Sequence, residues 1–199
     1  TNKNSIKLVW NNSQGITFEK HISLDDQFLF TIKEKIINSS SKTYNFYSYG
    51  QIIRNEIPDI SGFYILHEGL IATLDDQLIE EDYDDIQEKK FSQTAQKGWF
   101  GIGDKFWITS IIPPRNKEFK TTFDYKSKFR ANYISSKGSE VSPNGSIEEE
   151  IQVIIAAKRV NVIDGYAEAL NINKFDLTID WGFMYFITKP LFFALDYFF

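Results

Sequence analysis

The chain has 199 residues, a formal net charge of −5 and 42% hydrophobic side chains, which suits one well-formed core. No basic run clusters the cations that a phosphate backbone demands, so nucleic-acid binding is excluded as a class. The absence of cysteine removes disulfides, thiolate metal sites and a cysteine nucleophile, and leaves the compartment open.

In chain order, "NNSQG" (11–15) supplies turn chemistry, after which Ile16, Phe18, Ile22 and Leu24 alternate with Thr17, Glu19, His21 and Ser23. That period of two predicts a half-buried antiparallel strand. Asp25 and Asp26 interrupt it, and Phe28, Phe30, Ile32 and Ile36 predict the next strand. "NSSSK" (38–42) breaks the chain again, and "TYNFYSYGQIIR" (43–54) reads as one further strand. The first third is thus a meander of β-hairpins.

From Pro58 to Gln96 the pattern loosens, and "DDQLIEEDYDDIQEKK" (75–90) reads as a solvated acidic excursion. Strand character returns with "GWFGIGDKFWITSIIPP" (98–114), where Trp99, Phe100, Ile102, Phe106, Trp107, Ile108, Ile111 and Ile112 predict burial on both faces until Pro113 and Pro114 end the run. Two more β-rich stretches follow, "FKTTFDYKSKFRANYISS" (119–136) and "SIEEEIQVIIAAK" (146–158), separated by the loop "KGSEVSPNGS". Val162, Ile163, Tyr166, Ala167 and Leu170 then fit one face of a short helix, near 160–170, weakened by Gly165.

Residues capable of chemistry are sparse. His21 and His67 have no ligand spacing, and each is expected in a surface or hydrogen-bonded structural role. The acids from Asp75 to Asp85 lack the glycine and alternating carboxylates of a calcium loop. Gly98, Gly101 and Gly103 precede no Lys-Ser/Thr pair, and are read as places where backbone passes close to aromatic rings. No catalytic residue, cofactor or metal site is predicted.

The tail from Trp181 to Phe199 is aromatic at nine of its nineteen positions. Lys189, Pro190 and Asp196 interrupt it, and no window of the chain reaches the roughly twenty uninterrupted apolar residues that cross a bilayer. The segment therefore reads as interfacial or packing rather than spanning. A helix is predicted from about Pro190, whose missing N–H suits a first turn. It would place Leu191, Ala194, Leu195 and Phe198 in one stripe and fold against protein.

Three segments resemble, in order, the large periplasmic domain of the bacterial YidC membrane-protein insertases. "GWFGIGDKFWITSIIPP" is similar to that family's Gly-Trp segment and aromatic strand ending in Ile-Pro, and "LHEGLIATLDDQLIEEDYDDI" (66–86) occupies the place of a loosely similar acidic segment. The most specific is "FDLTIDWGFMYFITKPLFFAL" (175–195), in which Asp180, Trp181, Gly182, Pro190, Leu191 and Phe192 match in register. The resemblance covers essentially the whole chain. It implies a mainly β, mutarotase-like antiparallel β-supersandwich over residues 1–180, lacking early strands that would precede Thr1.

The resemblance also implies that residues 181–199 form an amphipathic helix along the periplasmic face of the inner membrane, leading to a transmembrane helix. Transmembrane helices before and after this stretch would carry the contacts with membrane-protein substrates. The expected role is noncatalytic: partner docking, with auxiliary subunits of the Sec translocon among the partners, and placement of the interfacial helix. Candidate contact residues are Trp181, Phe183, Tyr185, Phe186, Pro190, Leu191, Phe192, Phe193, Leu195 and Phe198. The fold class also admits a carbohydrate-binding module or a mutarotase-like enzyme, which would need a histidine facing a carboxylate in a polar cleft.

Overall fold

The computed structural model describes residues 4–57, 67–182 and 184–198. β1 (Ser5–Asn11), β2 (Ile16–Leu24) and β3 (Leu29–Asn38) form the predicted antiparallel meander. Both of its turns are closed by one carboxyl or amide oxygen. Asn12 Oδ1 accepts from the backbone N–H groups of Gln14 and Ile16, and Asp25 Oδ1 accepts from those of Gln27 and Leu29. Phe28, expected inside the strand, instead ends the second turn with φ near +71° and an exposed ring. The Asp25 turn uses it as its last residue, so β3 begins one position later.

The stretch 43–54 is two strands rather than one. β4 (Tyr44–Phe46) and β5 (Tyr49–Arg54) separate at Tyr47 and Ser48 and enter different sheets. Ser48 is held in the break by Ser135 Oγ, which accepts its N–H at 3.0 Å, and by the Tyr133 hydroxyl at 2.7 Å from its Oγ. Upstream, the amide of buried Asn38 pins the "NSSSK" loop. Its Nδ2 donates to the carbonyls of Lys42 and Val141, and its Oδ1 accepts from Ser40.

The acidic excursion is also ordered structure. β6 (Gly69–Leu74) is buried along its whole length, and β7 (Gln77–Asp82), α1 (Tyr83–Glu88) and β8 (Phe91–Ala95) follow. α1 turns Tyr83 and Ile86, three residues apart, into the core while Asp84 and Asp85 occupy its first turn, where the helix dipole favours negative charge. Counting charge hid that apolar pair.

β9 (Gly98–Gly103), β10 (Trp107–Ile112), β11 (Phe119–Tyr125), β12 (Phe129–Ser135), β13 (Ser139–Val141) and β14 (Ser146–Ala157) complete the strands. The large sheet runs β1-β2-β3-β14-β10-β9-β6-β7, a second sheet runs β5-β12-β11-β8, and β13 pairs with β4. All pairings are antiparallel, as predicted. Because successive side chains point to opposite faces, the large sheet carries two cores. Phe100, Ile111 and Ile151 meet Phe119, Phe123 and Tyr133 of the second sheet. Trp99, Ile108 and Ile154 meet α2 (Val160–Ala169) and a 3-10 turn (Phe175–Thr178) through Ile163, Tyr166 and Phe175.

Burial on both faces thus holds for Trp99, Phe100, Ile102, Ile108, Ile111 and Ile112. It fails for Phe106 and Trp107, which are exposed at the β9–β10 turn, beyond the cover of either core. The glycines of β9 also differ from expectation. A Cβ on Gly98, whose φ is +144°, would stand 2.0 Å from the Thr73 carbonyl oxygen, and one on Gly101 would stand 2.3 Å from that of Thr109. They admit the backbones of neighbouring strands rather than aromatic rings.

The last helix, α3 (Tyr185–Phe198), starts five residues earlier than predicted, so that Pro190 lies inside it. Its first turn is supported from behind: the Thr188 hydroxyl donates to the Trp181 carbonyl at 2.9 Å, and the Ile187 and Thr188 N–H groups donate to the Met184 carbonyl. Those bonds start the helix ahead of the proline, which then removes one interior bond.

Candidate functional site

The tail is the one sequence-predicted site, and its placement begins at Asp180. One carboxylate oxygen accepts the Gly182 N–H at 2.7 Å, and the other accepts the His67 N–H at 3.2 Å. The segment is thereby tied to the start of β6 while Gly182, with φ near +70°, redirects the chain. His67 itself lies between the Leu70 carbonyl at Nε2 and the Asp82 carboxylate at Nδ1, a hydrogen-bonded structural position. His21 sits exposed on β2.

Lys189 is the second anchor. Its ammonium lies 3.2 Å from Asp164 of α2 and 3.1 Å from Asp176 of the 3-10 turn. Partial burial works against the charged form, but hydrogen bonds and attraction from Asp176 and Asp164 outweigh it and raise the lysine pKa. A raised folded-state pKa means that the anchor is fully present at neutral pH and is lost only as the pH climbs through that raised value. The Trp181 ring completes the attachment, edge-to-face with Phe192 at 5.5 Å and 6.0 Å from the Lys189 ammonium.

Lys189 and Phe192, three apart, define the face of α3 turned to the protein. Ile187, Leu191, Ala194 and Phe198 run along the opposite side, and Leu195, three residues after Phe192, lies on the flank. Phe186, Ile187, Leu191, Phe192, Phe193, Leu195 and Phe198 remain between 39% and 79% exposed. The expectation that the segment folds against protein therefore holds for its anchor alone, and its apolar side stays open. Pro190 is exposed as well. Phe183 and the side chain of Tyr185 lie outside the described residues. Sequence reasoning missed Asp164 and Asp176, which lie 25 and 13 residues from Lys189 and have no local signal.

Replacing Lys189 with Met should leave Asp164 and Asp176 without their shared cation and loosen the helix. A loss of about 1 kcal/mol of local stability, or roughly fivefold faster amide exchange across 184–195, is expected. Unchanged exchange would show that the ion pairs do not hold α3.

Elsewhere, an open cavity of about 370 Å³ is lined by Thr73, Asp76, Lys97, Trp99, Arg115 and Asn173, with neither histidine in its wall. Among the described residues no group of three or more His, Asp or Glu side chains is arranged to hold a metal ion. No helix among them is long and apolar enough to cross a membrane.

A family model described as the YidC periplasmic domain matches residues 1–194. The chain is 80% identical over 199 residues to the membrane protein insertase YidC of Pelagibacter ubique, covering all of this chain and 36% of that protein. It is 38% identical over 205 residues to that of Rhizobium johnstonii, covering 100% of this chain and 34% of the relative. The chain thus spans about a third of the length of the curated relatives it matches. Among solved structures, a galactose mutarotase related enzyme from Lactobacillus acidophilus superposes with a TM-score of 0.57 at 11% identity, over 78% of this chain and 69% of that one. An alpha-galactosidase from Lactobacillus brevis gives 0.56 at 11% identity, over 84% of this chain and 26% of that one. These two likenesses establish the sandwich fold alone.

Proposed function

The chain belongs to the YidC periplasmic domain family, and we propose that it serves as a noncatalytic, membrane-apposed domain of an inner-membrane protein insertase. Residues 1–180 form the docking body and residues 181–199 the membrane-surface element. Auxiliary subunits of the Sec translocon are the partners of the body, and membrane-protein substrates are handled by membrane-embedded parts of the longer protein.

The observation that carries this reading is the two-sidedness of α3. Lys189 fastens one side to α2 and the 3-10 turn and Phe192 packs on Trp181 beside it, while Ile187, Leu191, Ala194 and Phe198 face outward. A helix fastened to the domain along one side and apolar along the other suits the headgroup boundary. Aromatic rings are favoured at that boundary. The test is lipid contact along residues 186–195 on vesicles, which should rise and fall with the helical period; no lipid contact at any position would contradict the proposal.

The mutarotase-like reading has less support. His67 lies against the Leu70 carbonyl and the Asp82 carboxylate but lines no part of the open cavity, and His21 lies on an exposed strand face.

A further inference from the structure

A second apolar surface lies at one end of the large sheet. There the β2–β3 turn and the β9–β10 turn flank the end of β14, because β3, β14 and β10 are consecutive neighbours. The Ile155 N–H donates to the Phe28 carbonyl at 3.3 Å, and the Lys158 N–H donates to the Phe106 carbonyl at 2.8 Å. Trp107 pairs in register with Ala157. Four large apolar side chains are thus gathered on adjoining backbone: Phe28 at 57% exposed, Phe106 at 65%, Trp107 at 56% and Ile155 at 42%.

Nothing in the fold requires large apolar side chains at those exposed positions. The β2–β3 turn is closed by Asp25, not by Phe28, and Trp107 opens a strand whose other members are covered. Exposed large apolar side chains grouped on adjoining backbone mark an interaction site more often than scattered ones do. The composition also specifies the environment. Lys105 Nζ stands 5.2 Å from the centre of the Phe106 ring, an apolar body with a cationic tip beside it, as at a lipid headgroup boundary.

This end is continuous with α3. The Tyr166 hydroxyl of α2 donates to Asp25 in the β2–β3 turn at 2.8 Å, and Asp164, two residues earlier on α2, holds Lys189 of α3. α2 therefore links the β2–β3 turn to the outward-facing helix through direct contacts. We propose that Phe28, Phe106 and Trp107 form a second contact with the bilayer surface that α3 touches, so that two footings fix the tilt of the sandwich on the membrane. This inference rests on the membrane-surface reading of α3 and adds the orientation of the body.

Asp25, Asp26 and Asp104 border the turns, so the attraction is apolar rather than a demand for anionic lipid. A protein partner or a second copy of the chain would use the same rings but would not follow lipid.

The lack of native cysteine allows single labels to be read without interference. Phe106→Cys, Leu195→Cys and Ile134→Cys chains, the last on the outer face of β12, would each carry the environment-sensitive fluorophore NBD. On phosphatidylethanolamine–phosphatidylglycerol vesicles the labels at 106 and 195 are expected to brighten about twofold or more with a blue shift, and the label at 134 to stay unchanged. A response at 195 without one at 106 overturns the second footing and leaves the reading of α3 standing. No response at either position removes both. A response at 106 that grows with protein concentration without vesicles overturns the inference in favour of self-association. As an independent measure, Phe28→Ser, Phe106→Ser and Trp107→Ser together should weaken vesicle binding by about tenfold with unchanged far-ultraviolet circular dichroism. Unchanged binding in that variant also overturns the proposal.

Discussion

A chain carrying Phe192→Ser, Phe193→Ser and Phe198→Ser is expected to bind phosphatidylethanolamine–phosphatidylglycerol vesicles about a hundredfold more weakly than the unchanged chain. Its β-sheet circular dichroism should persist. The three rings are partly to largely exposed, so substituting them leaves no hole in either core of the sandwich. At about 25 cal/mol per Å² of apolar surface, moving the exposed parts of the Phe193 and Phe198 rings out of water contributes about 3 kcal/mol, which is roughly a hundredfold in partitioning. Phe192 acts by a different route, since it faces the protein, packs on Trp181 and helps to hold the helix. Unchanged binding would mean that the aromatic run is not the contact, and the membrane reading of residues 181–199 would fall with it.

The second large effect belongs to the fold. Trp99→Ala is expected to cost about 4 kcal/mol, lowering the melting temperature by about 10 °C in a domain of this size. Trp99 is fully buried in the outer core, the one between the large sheet and α2, edge-to-face with Phe175 at 5.0 Å, and its Nε1 donates to the Asn173 carbonyl at 3.1 Å. Truncation removes both a large contact area and the partner of a carbonyl. Trp107→Ala, eight residues along and exposed, should change stability by no more than about 0.5 kcal/mol. Chemical denaturation of the two variants reads both effects. Equal losses would contradict the placement of the second tryptophan outside the core.

That pair of tryptophans also shows what the sequence reveals. Alternation identifies the strands of the meander, and the bulky run 98–112 identifies the strands buried on both faces, because period and apolar content are local properties. Where the cover ends is not local. Trp107 lies on the same strand face as buried Ile111, and only the extent of the second sheet separates them. The acidic stretch 75–90 misleads for a related reason. Its carboxylates dominate any average, while the residues that matter to the core are Ile79, Tyr83 and Ile86.

The tail is legible in kind and misjudged in detail. Its amphipathic helix follows from the residues, and Pro190 draws the predicted start five residues too late because the first turn is closed on the Met184 carbonyl and braced by the Thr188 hydroxyl on the Trp181 carbonyl. The anchor needs Asp164 and Asp176, brought to Lys189 by the packing of α2 against the outer core. No spacing rule links those three positions. Sequence resemblance supplies the membrane context, and the geometry adds which side of the helix is free to meet it.

The most direct test of the membrane-surface helix is a nitroxide scan from Phe186 to Leu195, one cysteine at a time in a chain that has none of its own. Oxygen accessibility, which rises with depth in lipid, would be measured on vesicles. The expected profile repeats every 3.6 residues or so, with maxima near Ile187, Leu191 and Ala194 and minima near Lys189 and Phe192. A profile that climbs steadily along the segment, or one that is the same with and without vesicles, would contradict a helix lying on the membrane surface.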